Sequence, residues 1–179
     1  MIITVNDKLS TLLKKSTITV IDDINTSNKE EVFDIIDNCD LYIDSKFSAP
    51  TSNNEIISKR STVISTMNEL FTYINDSIHN KTSKWFTTDT QLKNFKIKLL
   101  YWCANDFSNV IDKLDKHEEV KIVINNEMSK HERIFVRVLA DCGATILVVD
   151  KTFNNDEISK EIDKYSNTKK ADVQTVTFG

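Results

Sequence analysis

The stretch Val120-Lys-Ile-Val-Ile124-Asn-Asn-Glu-Met-Ser129-Lys-His-Glu-Arg-Ile-Phe-Val-Arg-Val-Leu-Ala-Asp-Cys-Gly143-Ala-Thr145-Ile-Leu-Val-Val149-Asp150 decides the fold. Two short runs rich in β-branched residues flank a polar turn and a helical pattern. Ile146 to Val149 is continuously apolar, as in a strand covered on both faces. Ser129 and Glu132 make a capping box, in which each side chain satisfies a backbone amide of the other. Phe135, Val138, Leu139 and Cys142 then fall on one helix face. Gly143 follows where a left-handed residue ends a helix. Strand, helix and strand in this order form a βαβ unit, which demands parallel pairing and a right-handed crossover.

The rest of the chain reads the same way. Capping boxes occur at Ser27…Glu30, Ser52…Glu55 and Thr88…Gln91, and Asn154…Glu157 is a variant with an asparagine cap. After Ser52, residues Ile57, Ile64, Met67, Phe71, Ile74 and Ile78 step at helical intervals. After Thr88, the stripe Leu92, Phe95, Leu99, Cys103, Phe107, Val110 and Leu114 predicts one long helix over 89–114. A short helix is expected after Asn6, through Leu9, Leu12 and Leu13. Strands are expected at 17–21, 41–43, 120–124, 145–149 and 173–178. The expected fold is three-layer α/β and Rossmann-like: a mostly parallel sheet of about five strands, helices on both faces, and a long helical hairpin at 53–114. The hairpin separates strand-helix halves at 1–52 and 115–179 of a single domain, 1–179. Residues 17–44 and 120–150 share one order of elements, as any two βαβ units do.

Composition narrows the chemistry. The 179 residues include two glycines and one proline, where average usage would give roughly twelve and nine. No glycine-rich phosphate loop, dinucleotide fingerprint or G-x-S-x-G elbow is present. The net charge of −4 argues against a nucleic-acid binder. No apolar run is long enough to span a membrane. Cys39, Cys103 and Cys142 are an odd, widely spaced set with no C-x-x-C pair, which disfavours zinc and disulfide frameworks. A cytoplasmic location is the expectation. No cofactor is indicated.

In open α/β sheets, ligands sit beyond the carboxyl ends of the strands. The loops there are rich in Asp, Asn, Ser and Thr. Asn125, Asn126, Ser129 and Glu132 mark a candidate site for a small anionic or nucleotide-like ligand at a helix N-terminus. The competing reading is a polar turn feeding a capping box, since Glu127 and Glu132 repel anions and no glycine lets the backbone approach. Asp22, Asp44 and Asp150 follow predicted strands and would hold Mg²⁺ if the sheet brought them together; otherwise they cap loops. His131 and Glu132 are adjacent, but neighbours in sequence do not share a helix face. Arg133 and Arg137 are i,i+4 neighbours, either a cationic patch or residues solvated or salt-bridged, for instance with Asp141. Cys142, at a helix C-terminus, lacks the environment that activates a thiol. Trp85, beside the 81–84 hinge, would mark a partner surface if exposed.

Four segments together resemble a known family. They are Phe95-Lys-Ile-Lys-Leu-Leu-Tyr-Trp102, Val120–Ile124, Ser129–Leu139 and Cys142–Asp150. The region Trp85 to Asp150 is similar to the C-terminal region of the YceG-like proteins, which are encoded in tellurium-resistance and stress-response clusters and described as components of a biosynthetic module. Glu132, Phe135, Leu139 and Gly143 match the family pattern. Asn125 or Asn126 replaces its turn glycine, and Lys151 its terminal proline. The resemblance implies a cytoplasmic bacterial or mobile-element protein of a stress-resistance system, and carries over no catalytic residue. Three functions remain open: a non-catalytic binding module, a Mg²⁺-dependent phosphate- or sugar-transferring enzyme, and a partner-binding protein that presents residues 53–114.

Overall fold

The computed structural model describes residues 1–5, 26–50, 61–83, 86–149 and 173–176. The chain has a mixed α/β fold. In order, its described elements are β1 (Ile2–Val5), α1 (Thr26–Asp37), β2 (Leu41–Ile43), α2 (Thr62–His79), α3 (Asp89–Ala104), α4 (Ser108–Asp115), β3 (Lys121–Ile124), α5 (Lys130–Asp141), β4 (Thr145–Val148) and β5 (Val173–Val176). The strands form one sheet in the order β2-β3-β4-β1-β5, and every pairing is parallel. Ile43, Ile124 and Val148 lie side by side at the carboxyl edge.

Strand alternation sorts the core into two faces. Ile2, Ile122, Ile124, Ile146 and Val148 join the large cluster built with α2 to α5. Ile3, Val123 and Leu147 point the other way, onto Val32 and Ile35 of α1. This explains the continuous apolar runs in β3 and β4. Helix α5 packs on β4 and against α2. It is therefore enclosed, and every residue from Glu132 to Ala140 is buried.

The strand expected at 17–21 and the helix expected after Asn6 lie outside the described residues. Ile2–Val5 adds a strand not expected from the sequence, which fills a central place in the sheet between β4 and β5. The helix expected over 89–114 is two helices, α3 and α4. The Asn105 side chain donates to Tyr101 O at 2.9 Å, and its backbone leaves helical geometry. The Phe107 N–H folds back onto Trp102 O at 2.9 Å. The apolar stripe continues through the break because Phe107 stays buried, so spacing alone could not reveal it. The expected hairpin is accordingly a cluster of α2, α3 and α4. The Ser52…Glu55 box lies outside the described residues, and α2 is capped by Ser61, whose hydroxyl accepts from the Ile64 N–H.

The scarcity of glycine shows at the helix ends. Three helices close with the same pair of backward hydrogen bonds, after Ser77, Lys113 and Leu139. The left-handed residue is Lys81 (φ 55°), His117 (φ 57°) or Gly143 (φ 110°). Side chains tolerate the first two angles at modest cost, but φ near 110° is glycine territory. A Cβ at Gly143 would meet nothing within 4 Å, so any cost is backbone strain alone. Gly143→Ala is expected to destabilise the fold by about 1–3 kcal/mol, read by urea unfolding. An unchanged midpoint would contradict this account of the cap.

Candidate functional site

The loop between β3 and α5 lies at the carboxyl edge of the sheet. Asn125 extends the β3 pairing, its N–H donating to Ile43 O at 2.7 Å, and its Nδ2 donates to the Tyr42 hydroxyl at 3.3 Å. Met128 is buried and anchors the loop, and its carbonyl accepts from Arg133 Nε at 3.2 Å. Ser129 closes the predicted capping box: its hydroxyl accepts from the Glu132 N–H, while Glu132 Oε1 accepts from the Ser129 N–H at 3.1 Å. Asn126 is different. Its Nδ2 is buried and has no hydrogen-bond partner among the described residues, a condition that costs about 1–3 kcal/mol unless an acceptor arrives.

Glu132 does more than cap. Its Oε2 accepts from the Phe47 N–H at 3.2 Å, in the loop after β2. That loop is strapped across the helices. Asp106 accepts from the Ser48 N–H (2.9 Å) and the Ser48 hydroxyl (2.8 Å), and Trp102 Nε1 donates to Ser48 O at 2.8 Å. The Phe47 ring plugs an aromatic cluster with Trp102, Phe107 and Phe135. Both Glu132 oxygens thus hold backbone amides, and the residue shapes the site from within. Nothing local in the sequence marks this strap, because its contacts join residues 54 to 85 positions apart.

His131 lies in the same first turn of α5. Its ring stacks on Phe86 (centroids 5.9 Å, planes 12° apart) and meets Phe95 at 5.0 Å. Lys98 Nζ lies 3.2 Å from its Nδ1. An ammonium can only donate, so Nδ1 accepts and the proton resides on Nε2. Burial first, then the charges of Lys98 and Lys130, push its pKa down to about 4. Because the folded value is depressed, the unfolded chain takes up this proton first. Stability should therefore fall as pH drops from 6.5 towards 4. His131→Asn is expected to flatten that limb of a stability-pH profile. An unchanged slope would show that other groups carry it.

Other candidates separate. Asp44 is exposed at the end of edge strand β2, while Asp22 and Asp150 lie outside the described residues. The ends of β2 and β4 are separated by β3, an expected gap of about 10 Å. Among the described residues, no three His, Cys, Asp or Glu side chains are grouped to hold a metal. Arg133 and Arg137 are buried, which corrects the solvated reading. Burial pushes the Cys103 thiol up to about 12 and raises Cys142 as well, so neither is an activated nucleophile. Trp85 lies outside the described residues.

The YceG domain pattern matches residues 3–177. The chain belongs to the YceG family. The match spans nearly the whole chain and corrects the expectation that the likeness is confined to a C-terminal region. No curated protein and no solved structure matches this YceG domain. No described helix of it is long and apolar enough to cross a membrane.

Proposed function

We propose that this YceG domain is a non-catalytic binding module for a small anionic, nucleotide-like ligand, held at the carboxyl edge of the sheet. One observation carries the reading: among the described residues, the buried Asn126 Nδ2 lacks an acceptor at the loop that feeds the α5 N-terminus. A helix N-terminus directs amides and a positive dipole end toward this region, and strand ends are where such sheets bind ligands. Asn125, Asn126 and the first-turn amides after Ser129 would contact the ligand, with Glu132 holding the loop in place. Asp22, Asp44 and Asp150 stay as candidate cation ligands only in an enzymatic variant of this reading. A single three-layer, Rossmann-like domain in the cytoplasm completes the proposal, in keeping with three free cysteines. A role within a tellurium- or stress-resistance system rests on the family alone.

A thermal-shift panel of inorganic phosphate, nucleotides, sugar nucleotides and divalent ions tests it. A ligand at a hundred times its Kd stabilises by about 2.7 kcal/mol, or roughly 5–10 °C here. Asn126→Ala is expected to abolish that shift while leaving the ligand-free protein as stable or up to about 1 kcal/mol more stable, since an unpaired donor is removed. A panel with no shift, or an equal shift in the variant, would overturn the assignment.

A further inference from the structure

The inner side of α3 is core, made by Leu92, Phe95, Leu99, Trp102 and Cys103. Its outer side is unusual. The solvent face of a surface helix is normally polar, yet here Ile97 is 44% exposed, with Leu100 and Tyr101 half-buried nearby on the same side. Tyr73 of the adjoining α2 is 42% exposed. Lysines rim the α3 part of this strip, whereas exposed Glu69 and Asp76 flank Tyr73 on α2. Lys93 is exposed on it; Lys96 lies on the α2 side, its Nζ 5.5 Å from the centre of the Phe71 ring; Lys98 lies on the α5 side, against His131. No ion pair among the described residues involves Lys93, Lys96 or Lys98. After Asp89, α3 contains no acidic residue, although the chain as a whole carries −4.

We infer that the outer face of α3 docks an acidic, amphipathic segment of a partner protein. The lysine rim supplies the complementary charge, and the Ile97 strip supplies the apolar contact. Sixteen residues of helix extend about 24 Å, the length of a four-turn partner helix. A long polyanion or an anionic bilayer would also meet the net negative remainder of the surface, whereas a short segment touches only this face.

The test is selection of a phage-displayed library of randomised 16-residue peptides on the intact chain. Enriched peptides should carry Asp or Glu together with apolar residues at i, i+3 and i+4. Their affinity should fall at least tenfold with Ile97→Asp, and likewise with Lys93→Glu/Lys96→Glu, neither of which is a buried position. Binding should weaken as salt rises. Neutral or basic peptides, no enrichment, or binding indifferent to both variants would overturn the inference. So would flotation with phosphatidylcholine/phosphatidylglycerol vesicles that Ile97→Asp abolishes, or self-association that it abolishes, since these assign the face to a bilayer or to a second copy.

Discussion

Glu132→Ala is expected to destabilise the protein by about 2–4 kcal/mol, because two amide donors lose their acceptor at once. The residue is 4% exposed, and its oxygens take the N–H groups of Ser129 and Phe47. Loss of the cap alone costs about 1 kcal/mol. The remainder comes from the Phe47 amide, stranded beneath the strap. Hydrogen exchange should resolve the two parts, with protection at Phe47 collapsing along with that of the first turn of α5. Glu132→Gln should be milder, since its remaining carbonyl oxygen can still serve one of the two donors. A loss below about 0.5 kcal/mol with Phe47 protection intact would mean the strap is held without Glu132.

Phe135→Ala should cost more, about 3–5 kcal/mol. Its ring touches Phe107 at 4.9 Å, Trp102 at 5.4 Å and Phe47 at 6.5 Å between centroids. Each well-oriented aromatic pair adds about 0.5–1.5 kcal/mol beyond area. The cluster is where α5, α3 and the loop after β2 meet, so the truncation should loosen the strap as well as the core. A midpoint lowered by roughly 6–20 °C is expected for a chain of this length. Phe135→Leu, which keeps most of the volume, should lose less than half as much. Equal losses in the two variants would show that ring geometry, and not volume, dominates.

The contrast between these residues shows what a sequence can disclose. Ser129, Glu132, Phe135 and Gly143 were legible because caps and stripes are local: their partners lie within a few positions. The strands at 41–43, 120–124 and 145–149 were legible for the same reason, and the sheet carries them with at most one residue trimmed at an end; it also carries 173–176 of the strand expected at 173–178, whose last two residues lie outside the described ones. Ile2–Val5 was missed because four residues beside the N-terminus show too little pattern to distinguish a strand. The α3–α4 break was missed because Asn105 interrupts the backbone without interrupting the apolar spacing. At the candidate site, the position of the loop beyond a strand end was legible and its contacts were not. Sequence placed Asn125 and Asn126 beyond a strand end, but could not show that Glu132 Oε2 is spent on Phe47, or that Asn126 Nδ2 is left over. Both depend on contacts that only the folded chain creates.

Those two asparagines also bear on the shortage of glycine. With two glycines in the chain, the fold ends two described helices on left-handed Lys81 and His117. The turn between β3 and α5 likewise carries Asn125 and Asn126 and no glycine. A glycine would bring backbone close to a ligand; an asparagine brings an amide that can donate directly.

In the proposed function, Asn126 contributes such a donor to a bound anion. Its side-chain NH₂ resonances, assigned by their loss in Asn126→Ala, can be followed in ¹⁵N-labelled protein during titration with inorganic phosphate and then with nucleotides. A saturable shift of these resonances is expected, accompanied by the backbone amides of Lys130 and His131. Asn126 resonances that stay unmoved through millimolar concentrations of every compound would contradict it.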